Sequence, residues 1–156
     1  MQELSLIERM TGYEPASWSQ IPDLGLYMDQ VVTYIEGLLA PLYGEEAKGL
    51  ITPSMINNYV KIGLLPRPLG KKYYREHLAL LMMIVTLKPV ASIDGIRKLT
   101  ALQEEQTVQD LYAEFCRTQT RVMETISIDP DASALQHAVT ATAYRLVAEA
   151  SMREGE

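Results

Sequence analysis

Four polar residues of one short segment have the types and the spacing of a base-reading helix face. Ser54, Asn57, Asn58 and Lys61 recur at i, i+3, i+4 and i+7, which places them on one side of an α-helix. An asparagine amide can pair with N6 and N7 of adenine together, and a lysine ammonium binds phosphate. This pattern predicts a helix that contacts double-stranded DNA in the major groove.

A basic window surrounds this helix within an acidic chain. The 156 residues carry a net charge of -6, yet residues 47–75 contain six basic residues and no Asp or Glu. The rest of the chain therefore has 8 basic and 20 acidic residues, a charge of -12. Because carboxylates repel phosphates, the window favours a phosphate-binding surface over a solvated loop region that lacks acids. The six cations are Lys48, Lys61, Arg67, Lys71, Lys72 and Arg75.

Local signals indicate how these side chains are positioned. Thr52, followed by proline, predicts a helix start, since threonine caps free N–H groups and proline suits the first helical position. Gly63 predicts the end of this helix near residue 62. Residues 64–74 hold two prolines and a turn signal at Gly70, which predicts a short β-hairpin whose first strand lies at an edge.

The remaining pattern predicts a helical body. Apolar spacing indicates helices near 24–42 and 76–87, the second apolar all round and therefore central and buried. Another helix should begin after Ser92, which can cap it. Trp18 and Ile21 should anchor an otherwise irregular N-terminal arm. Two longer helices near 108–126 and 131–152, joined by residues 127–130, should form an antiparallel pair with Leu135, Ala138, Val139, Leu146 and Ala150 on one stripe.

The basic window also resembles a known family. Residues 59–66 resemble the end of the recognition helix of MerR-type regulators, Tyr-x-x-x-Gly-Leu-Leu and then proline, and residues 70–74 resemble their wing, Gly-x-Arg-x-Tyr. Ser92 to Ile96 resembles a later helix of that family. The whole chain resembles a bacterial family of unknown function with a MerR-like core. The resemblance implies a mainly α fold, a MerR-like winged helix-turn-helix with a small β-hairpin wing, plus a C-terminal helical hairpin.

We therefore predict three parts and a function. Residues 1–23 form an N-terminal arm, 24–105 a winged helix-turn-helix DNA-binding domain, and 106–156 a helical hairpin that is a candidate dimerisation region. The function predicted is a sequence-specific, MerR-like transcriptional regulator that reads the major groove with helix 52–62 and binds phosphates with wing 65–75. The predicted DNA-binding residues are Thr52, Ser54, Asn57, Asn58, Lys61, Arg67, Lys71, Lys72, Tyr73 and Arg75.

Two other classes of function stay open at this point. A protein-interaction module that has lost DNA binding is the alternative, because MerR-type helices usually carry an arginine where this chain has Asn57. An enzyme is the least favoured: Cys116 and His137 are the candidate nucleophile pair, and no local signature accompanies them. No cofactor or metal motif is predicted, and the sequence does not indicate a small-molecule effector.

The expected state is a cytoplasmic homodimer. Two-fold dimers read paired DNA half-sites, and the apolar stripes of the last two helices offer a surface for pairing. These stripes could instead pack only on their own domain. The longest nearly uncharged run, residues 78–87, is about half of what a bilayer requires, and no secretory signal is evident. No membrane partner is predicted.

Overall fold

The described residues of this chain are helical. A computed structural model describes residues 5–126 and 128–154, and in them it forms seven α-helices and two short 3-10 helices. Residues 1–4 of the predicted arm, Ser127 of the predicted linker and residues 155–156 lie outside the described part. The α-helices are α1 Leu6–Thr11, α2 Met28–Tyr43, α3 Pro53–Lys61, α4 Arg75–Leu87, α5 Ile93–Leu99, α6 Val108–Thr125 and α7 Ala134–Glu154, and the 3-10 helices are Trp18–Gln20 and Gly44–Ala47.

Helix α4 is the centre of the core, as predicted. Every residue from His77 to Val85 is buried, because the helix is apolar around almost its whole circumference and neighbours cover it on several sides. α2 and α6 pack directly against it. From α2, Val31, Ile35 and Leu39 reach the core at helical spacing.

The N-terminal segment is less irregular than predicted. Ser5 and Glu8 form a capping box that begins α1 within the expected arm. The prediction that Trp18 and Ile21 anchor this segment is confirmed, since Ile21 is 1% exposed and Trp18 packs partly buried against the core. α2 begins four residues later than residue 24 because Leu26 is in an extended pairing instead.

The predicted β-hairpin wing is wrong. Within residues 5–126 and 128–154 there is no strand, and the β structure there consists of two isolated antiparallel bridges, Leu26 with Tyr73 and Leu69 with Lys72. The fold is therefore all-helical in the part of the chain that is described, and the MerR-like winged helix-turn-helix expected from the resemblance is not what it forms. Residues 62–74, between α3 and α4, form a compact turn segment where a wing was expected.

The turn segment lacks the free backbone groups that a strand needs. The N–H groups of Leu64 and Leu65 both donate to the carbonyl of Tyr59, at 2.9 and 3.1 Å, which folds them onto the end of α3. Pro66 and Pro68 have no N–H to donate. Backbone pairing therefore cannot extend beyond the single bridge of Leu69 with Lys72 along residues 64–68.

The two C-terminal helices contact the rest of the chain separately, and their predicted antiparallel pairing stays a prediction. α6 docks through Tyr112, which is fully buried and donates its hydroxyl hydrogen bond to the carbonyl of Ala16. α7 packs its C-terminal end near α5, with Met152 against Gly95. An open cleft of about 720 Å³ separates the end of α6 from the start of α7.

Among the described helices, none is long and apolar enough to cross a membrane.

Candidate nucleic-acid interface

Helix α3 is held at both ends by specific contacts. The Thr52 side chain accepts a hydrogen bond from the N–H of Met55 at 3.2 Å, and Pro53 occupies the first turn, as predicted. The helix ends before Gly63, whose φ of 75° only glycine adopts without strain. Arg97 of α5 donates to the carbonyl of Ile62 at 2.9 Å, so a cation lies at the negative end of the helix.

The two faces of α3 separate as the sequence predicts. Ile56 and Tyr59 are buried in the core at 0% and 2% exposure. Ser54, Asn57 and Asn58 are exposed on the other face. Neither asparagine amide has a hydrogen-bond partner among the described residues. Two amide groups therefore project into solvent from a helix whose ends and inner face are fixed.

A shallow groove with a cationic rim adjoins the C-terminal end of α3. Lys61 and Arg67 line it together, and both side chains are exposed. Buried Leu64 and Leu65 form part of its floor, and its volume is about 500 Å³. No carboxylate occurs among the lining residues that the structure describes. The groove can therefore accept an anionic group without like-charge repulsion.

In the turn from Leu69 to Lys72, one lysine side chain is exposed and the next contacts an aromatic ring of the protein. Leu69 and Lys72 exchange backbone hydrogen bonds of 2.9 and 3.1 Å, and both residues between them have positive φ, 58° at Gly70 and 65° at Lys71. Lys71 is exposed at the tip of this turn. The Lys72 ammonium instead lies 5.4 Å from the centre of the Tyr27 ring, a cation–π contact.

Two of the predicted DNA-binding residues serve the fold instead. Tyr73 is 3% exposed, so its side chain lies inside the molecule. The Arg75 guanidinium donates to the carbonyl of Ile21 at 2.9 Å, lies 5.7 Å from the Trp18 ring centre and is 4.0 Å from an Asp23 oxygen. These contacts attach the N-terminal segment to the start of α4.

Among the remaining predicted positions, Thr52 is the helix cap. Lys48, which belongs to the basic window but not to the predicted DNA-binding residues, pairs with Glu45 at 3.3 Å on the surface. Lys61, Arg67 and Lys71 have no ion-pair partner among the described residues. Within the described residues, the basic window therefore keeps three cations free of ion pairs, and one of them, Lys61, lies on the same helix as the exposed asparagines.

His77 positions this region, and the sequence analysis did not identify it. Its Nδ1 accepts the N–H of Tyr74 at 3.0 Å, so Nε2 carries the proton and donates to the carbonyl of Arg67 at 3.1 Å. The ring of Tyr73 meets it edge-on at 5.3 Å. His77 thus ties the turn segment to α4 from a buried position. Its place in the third residue of the helix, where capping side chains reach back, is the signal that was available.

The candidate nucleophile pair faces two different environments. The Cys116 thiol points to the carbonyl of Ala16 at 3.6 Å, and burial raises its pKa, which disfavours the reactive thiolate. His137 instead lines the cleft between α6 and α7. The first residue of α6 that lines this cleft is Val122, and Cys116 is not among the lining residues. Among the described residues there is also no cluster of three His, Cys, Asp or Glu side chains that could hold a metal ion.

Comparison with known proteins gives a family without a function. A search of curated proteins and a search of solved structures both find no match to this chain. Residues 16–115 match a family model described as a domain of unknown function, DUF1836. This range runs from the segment that contains Trp18 through α6 as far as Phe115, and so includes α3, the turn and His77. Because the match covers more than half of the chain, the protein belongs to the DUF1836 family.

Proposed function

We propose that this protein is a sequence-specific, double-stranded DNA-binding regulator of transcription that reads base edges with the exposed face of α3. The observation that carries the proposal is the pair of exposed, unpartnered amides at Asn57 and Asn58. A helix capped at both ends can enter the major groove without fraying, and an asparagine there recognises adenine bidentately.

Phosphate contacts would come from the three uncommitted cations. Lys61 and Arg67 share the groove at the end of α3, and Lys71 stands at the tip of the turn. Each such contact releases condensed counterions, so affinity falls with salt. The resemblance of residues 59–66 to the recognition helices of MerR-type regulators supports the same assignment, although the wing of that family is replaced here by a turn.

The base-reading role is tested by the ratio of specific to random DNA affinity. Loss of an amide that pairs with adenine should cost roughly 1–3 kcal/mol on the preferred site and little on random DNA. Asn57→Ala and Asn58→Ala are therefore expected to lower the ratio. Gln109→Ala removes an exposed amide from α6 and is the matched control, expected to leave the ratio unchanged.

The phosphate role is tested by the salt dependence. Lys71→Ala should weaken binding to all sequences and reduce the slope of log affinity against log salt by about one unit. Lys48→Ala is the matched control, because Lys48 is already paired with Glu45. If neither asparagine variant changes the affinity ratio, the base-reading assignment is refuted. An unchanged slope in Lys71→Ala refutes the phosphate assignment.

A protein-interaction role is the second candidate, and the groove beside α3 favours it specifically. Its apolar floor and the rim of Lys61 and Arg67 suit a short apolar segment with an acidic residue at one end. In that case Arg67→Glu should abolish binding to the partner, while Asn57→Ala should have no effect. Under the DNA proposal both variants weaken binding to the preferred site.

A further inference from the structure

A cleft of about 570 Å³, here called the α2 cleft, lies between the N-terminal segment and α2. Its α2 wall is a single helix stripe at i, i+3, i+4 and i+7, formed by Tyr34, Gly37, Leu38 and Pro41. The opposite wall comes mainly from the segment between α1 and the first 3-10 helix. Clefts of about 300–1,000 Å³ that combine apolar walls with a few polar groups are typical of small-molecule sites.

The middle of the α2 wall leaves a backbone carbonyl without its usual donor. Pro41 lies inside α2 and has no N–H, so the Gly37 carbonyl lacks the i+4 hydrogen bond of a regular helix. A Cβ atom at Gly37 would meet no atom within 4 Å, so open space lies over this turn of the helix. The α2 cleft therefore has a hydrogen-bond acceptor that no side chain at Gly37 shields.

The opposite wall holds a buried hydroxyl group without a partner. Tyr13 lines the cleft and is 6% exposed, and its hydroxyl makes no hydrogen bond within the part of the chain that the structure describes. Buried hydroxyl groups are almost always hydrogen-bonded, so this one favours a ligand that supplies the partner. Burial raises the pKa of both Tyr13 and Tyr34, so the two tyrosines that line the cleft stay uncharged at neutral pH.

The charge around the cleft is negative. Among its described lining residues, Glu14 is the one charged residue; it is exposed and forms no ion pair with another described residue. Residues 1–46 hold eight acidic residues and one basic residue, Arg9, a local charge of -7. The Arg9 guanidinium lies beside Gly44 at the end of α2 and does not line the cleft. This surface therefore attracts cations and repels anions.

We propose that the α2 cleft binds a small organic ammonium ion with a flat apolar body. The ammonium group donates hydrogen bonds to the Gly37 carbonyl and the Tyr13 hydroxyl oxygen and pairs with Glu14. The apolar body packs on the Tyr34 ring and on Leu38. A carboxylate ligand would face Glu14 without a cation in the cleft to pair with it, and a neutral ligand would gain nothing from that charge. The proposal does not depend on whether the protein binds DNA.

The charge preference is tested by calorimetric titration of the full chain with 2-phenylethylamine, in the absence of DNA. Saturable binding of one molecule per chain is expected at millimolar concentration or below. The probes 2-phenylethanol and 3-phenylpropionate carry the same ring with a neutral and a negative group, and are expected to bind at least about 5-fold more weakly. Absence of saturable binding of the amine, or equal affinity for either of the other two compounds, overturns the proposal.

Three variants test whether the amine binds in the α2 cleft. Glu14→Gln and Tyr13→Phe each remove one partner of the ammonium group and should raise the Kd about 3- to 10-fold. Gly37→Leu places a side chain in the open space over the carbonyl and should abolish binding, while its urea midpoint shows that the fold is kept. Glu46→Gln is the matched control, because Glu46 is exposed and does not line the cleft, and its Kd should equal that of the wild type.

Two results would show that the site is wrong. One is a Glu14→Gln variant with the same Kd as Glu46→Gln. The other is a folded Gly37→Leu variant that binds the amine as tightly as the wild type does. DNA affinity measured on the same variants reports on the proposed function separately, since the α2 cleft lies outside α3 and the turn segment.

Discussion

Gly25 packs tightly against the two residues Lys72 and Tyr74, which follow the exposed Lys71 in the chain. A Cβ atom at this position would lie 2.7 Å from Lys72 Cδ, 2.9 Å from Lys72 Cβ and 3.0 Å from Tyr74 Cζ. Favourable carbon contacts begin at about 3.5 Å, so Lys72 Cδ would have to move by about 0.8 Å and Lys72 Cβ by about 0.6 Å. Lys72 Cβ is fixed to the backbone and cannot move alone.

The displacement would be transmitted to the pairing of the adjacent residues. Leu26 and Tyr73 exchange two backbone hydrogen bonds of 2.8 Å beside the glycine. Gly25→Ala must therefore either strain these bonds or shift the turn, and overpacking of this kind costs about 1–3 kcal/mol. For a chain of this size, each kcal/mol lowers Tm by roughly 2–4 °C.

Urea unfolding of Gly25→Ala beside Gly37→Ala measures this cost with an internal reference. Gly37 lies within α2, and a Cβ there meets no atom within 4 Å. Gly37→Ala should therefore stabilise the fold by about 0.5–1 kcal/mol through backbone entropy and helix propensity. The reasoning is refuted if Gly25→Ala unfolds at the same urea concentration as wild type or at a higher one.

Three further variants probe the helix ends and the turn. Arg97→Ala removes the hydrogen bond to the Ile62 carbonyl and should lower the unfolding free energy by about 0.5–1.5 kcal/mol, with faster amide exchange at the end of α3; unchanged exchange would contradict this. Hydrogen bonds from the Thr107 backbone N–H, and secondly from the Thr107 side chain, lower the pKa of Asp110. The ionised Asp110 carboxylate therefore stabilises the folded state at pH values above the usual pKa near 3.8, and this stabilisation is lost as the pH falls through the lowered pKa. Asp110→Asn should accordingly lower Tm at neutral pH by an amount that shrinks in acid, and a Tm difference that is constant with pH would count against it. Lys71→Gly removes the strain of a positive φ and should raise the free energy of unfolding by about 1 kcal/mol, while it weakens DNA binding. If the variant loses both stability and DNA affinity, the proposed role of this turn is wrong.

Local chemistry explains which parts of the fold the sequence predicts. Thr52, Ser92 and Gly63 act on backbone groups within a few residues, and each helix end follows from them as predicted. The buried nature of α4 follows in the same way from its composition. Short-range signals of this kind require no knowledge of the rest of the chain.

Hydrogen bonds that the residue pattern does not reveal, some local and some between distant segments, decide the features that the sequence does not predict. The wing prediction fails because the N–H groups of Leu64 and Leu65 turn back to α3 and because His77 takes the carbonyl of Arg67, which removes backbone partners from the expected strands. The roles of Tyr73 and Arg75 likewise depend on the path of the N-terminal segment. A list of basic and aromatic residues cannot distinguish those that support the surface from those that form it.

Selection of bound sequences from a random pool of double-stranded DNA tests the central proposal most directly. The wild-type chain is expected to enrich a motif with adenine at the positions read by Asn57 and Asn58, arranged as an inverted repeat if the protein binds as the homodimer that the sequence predicts. The Asn57→Ala, Asn58→Ala double variant, selected in parallel, should lose that motif. If the wild type enriches no sequence beyond the double variant, α3 is not a DNA-reading helix.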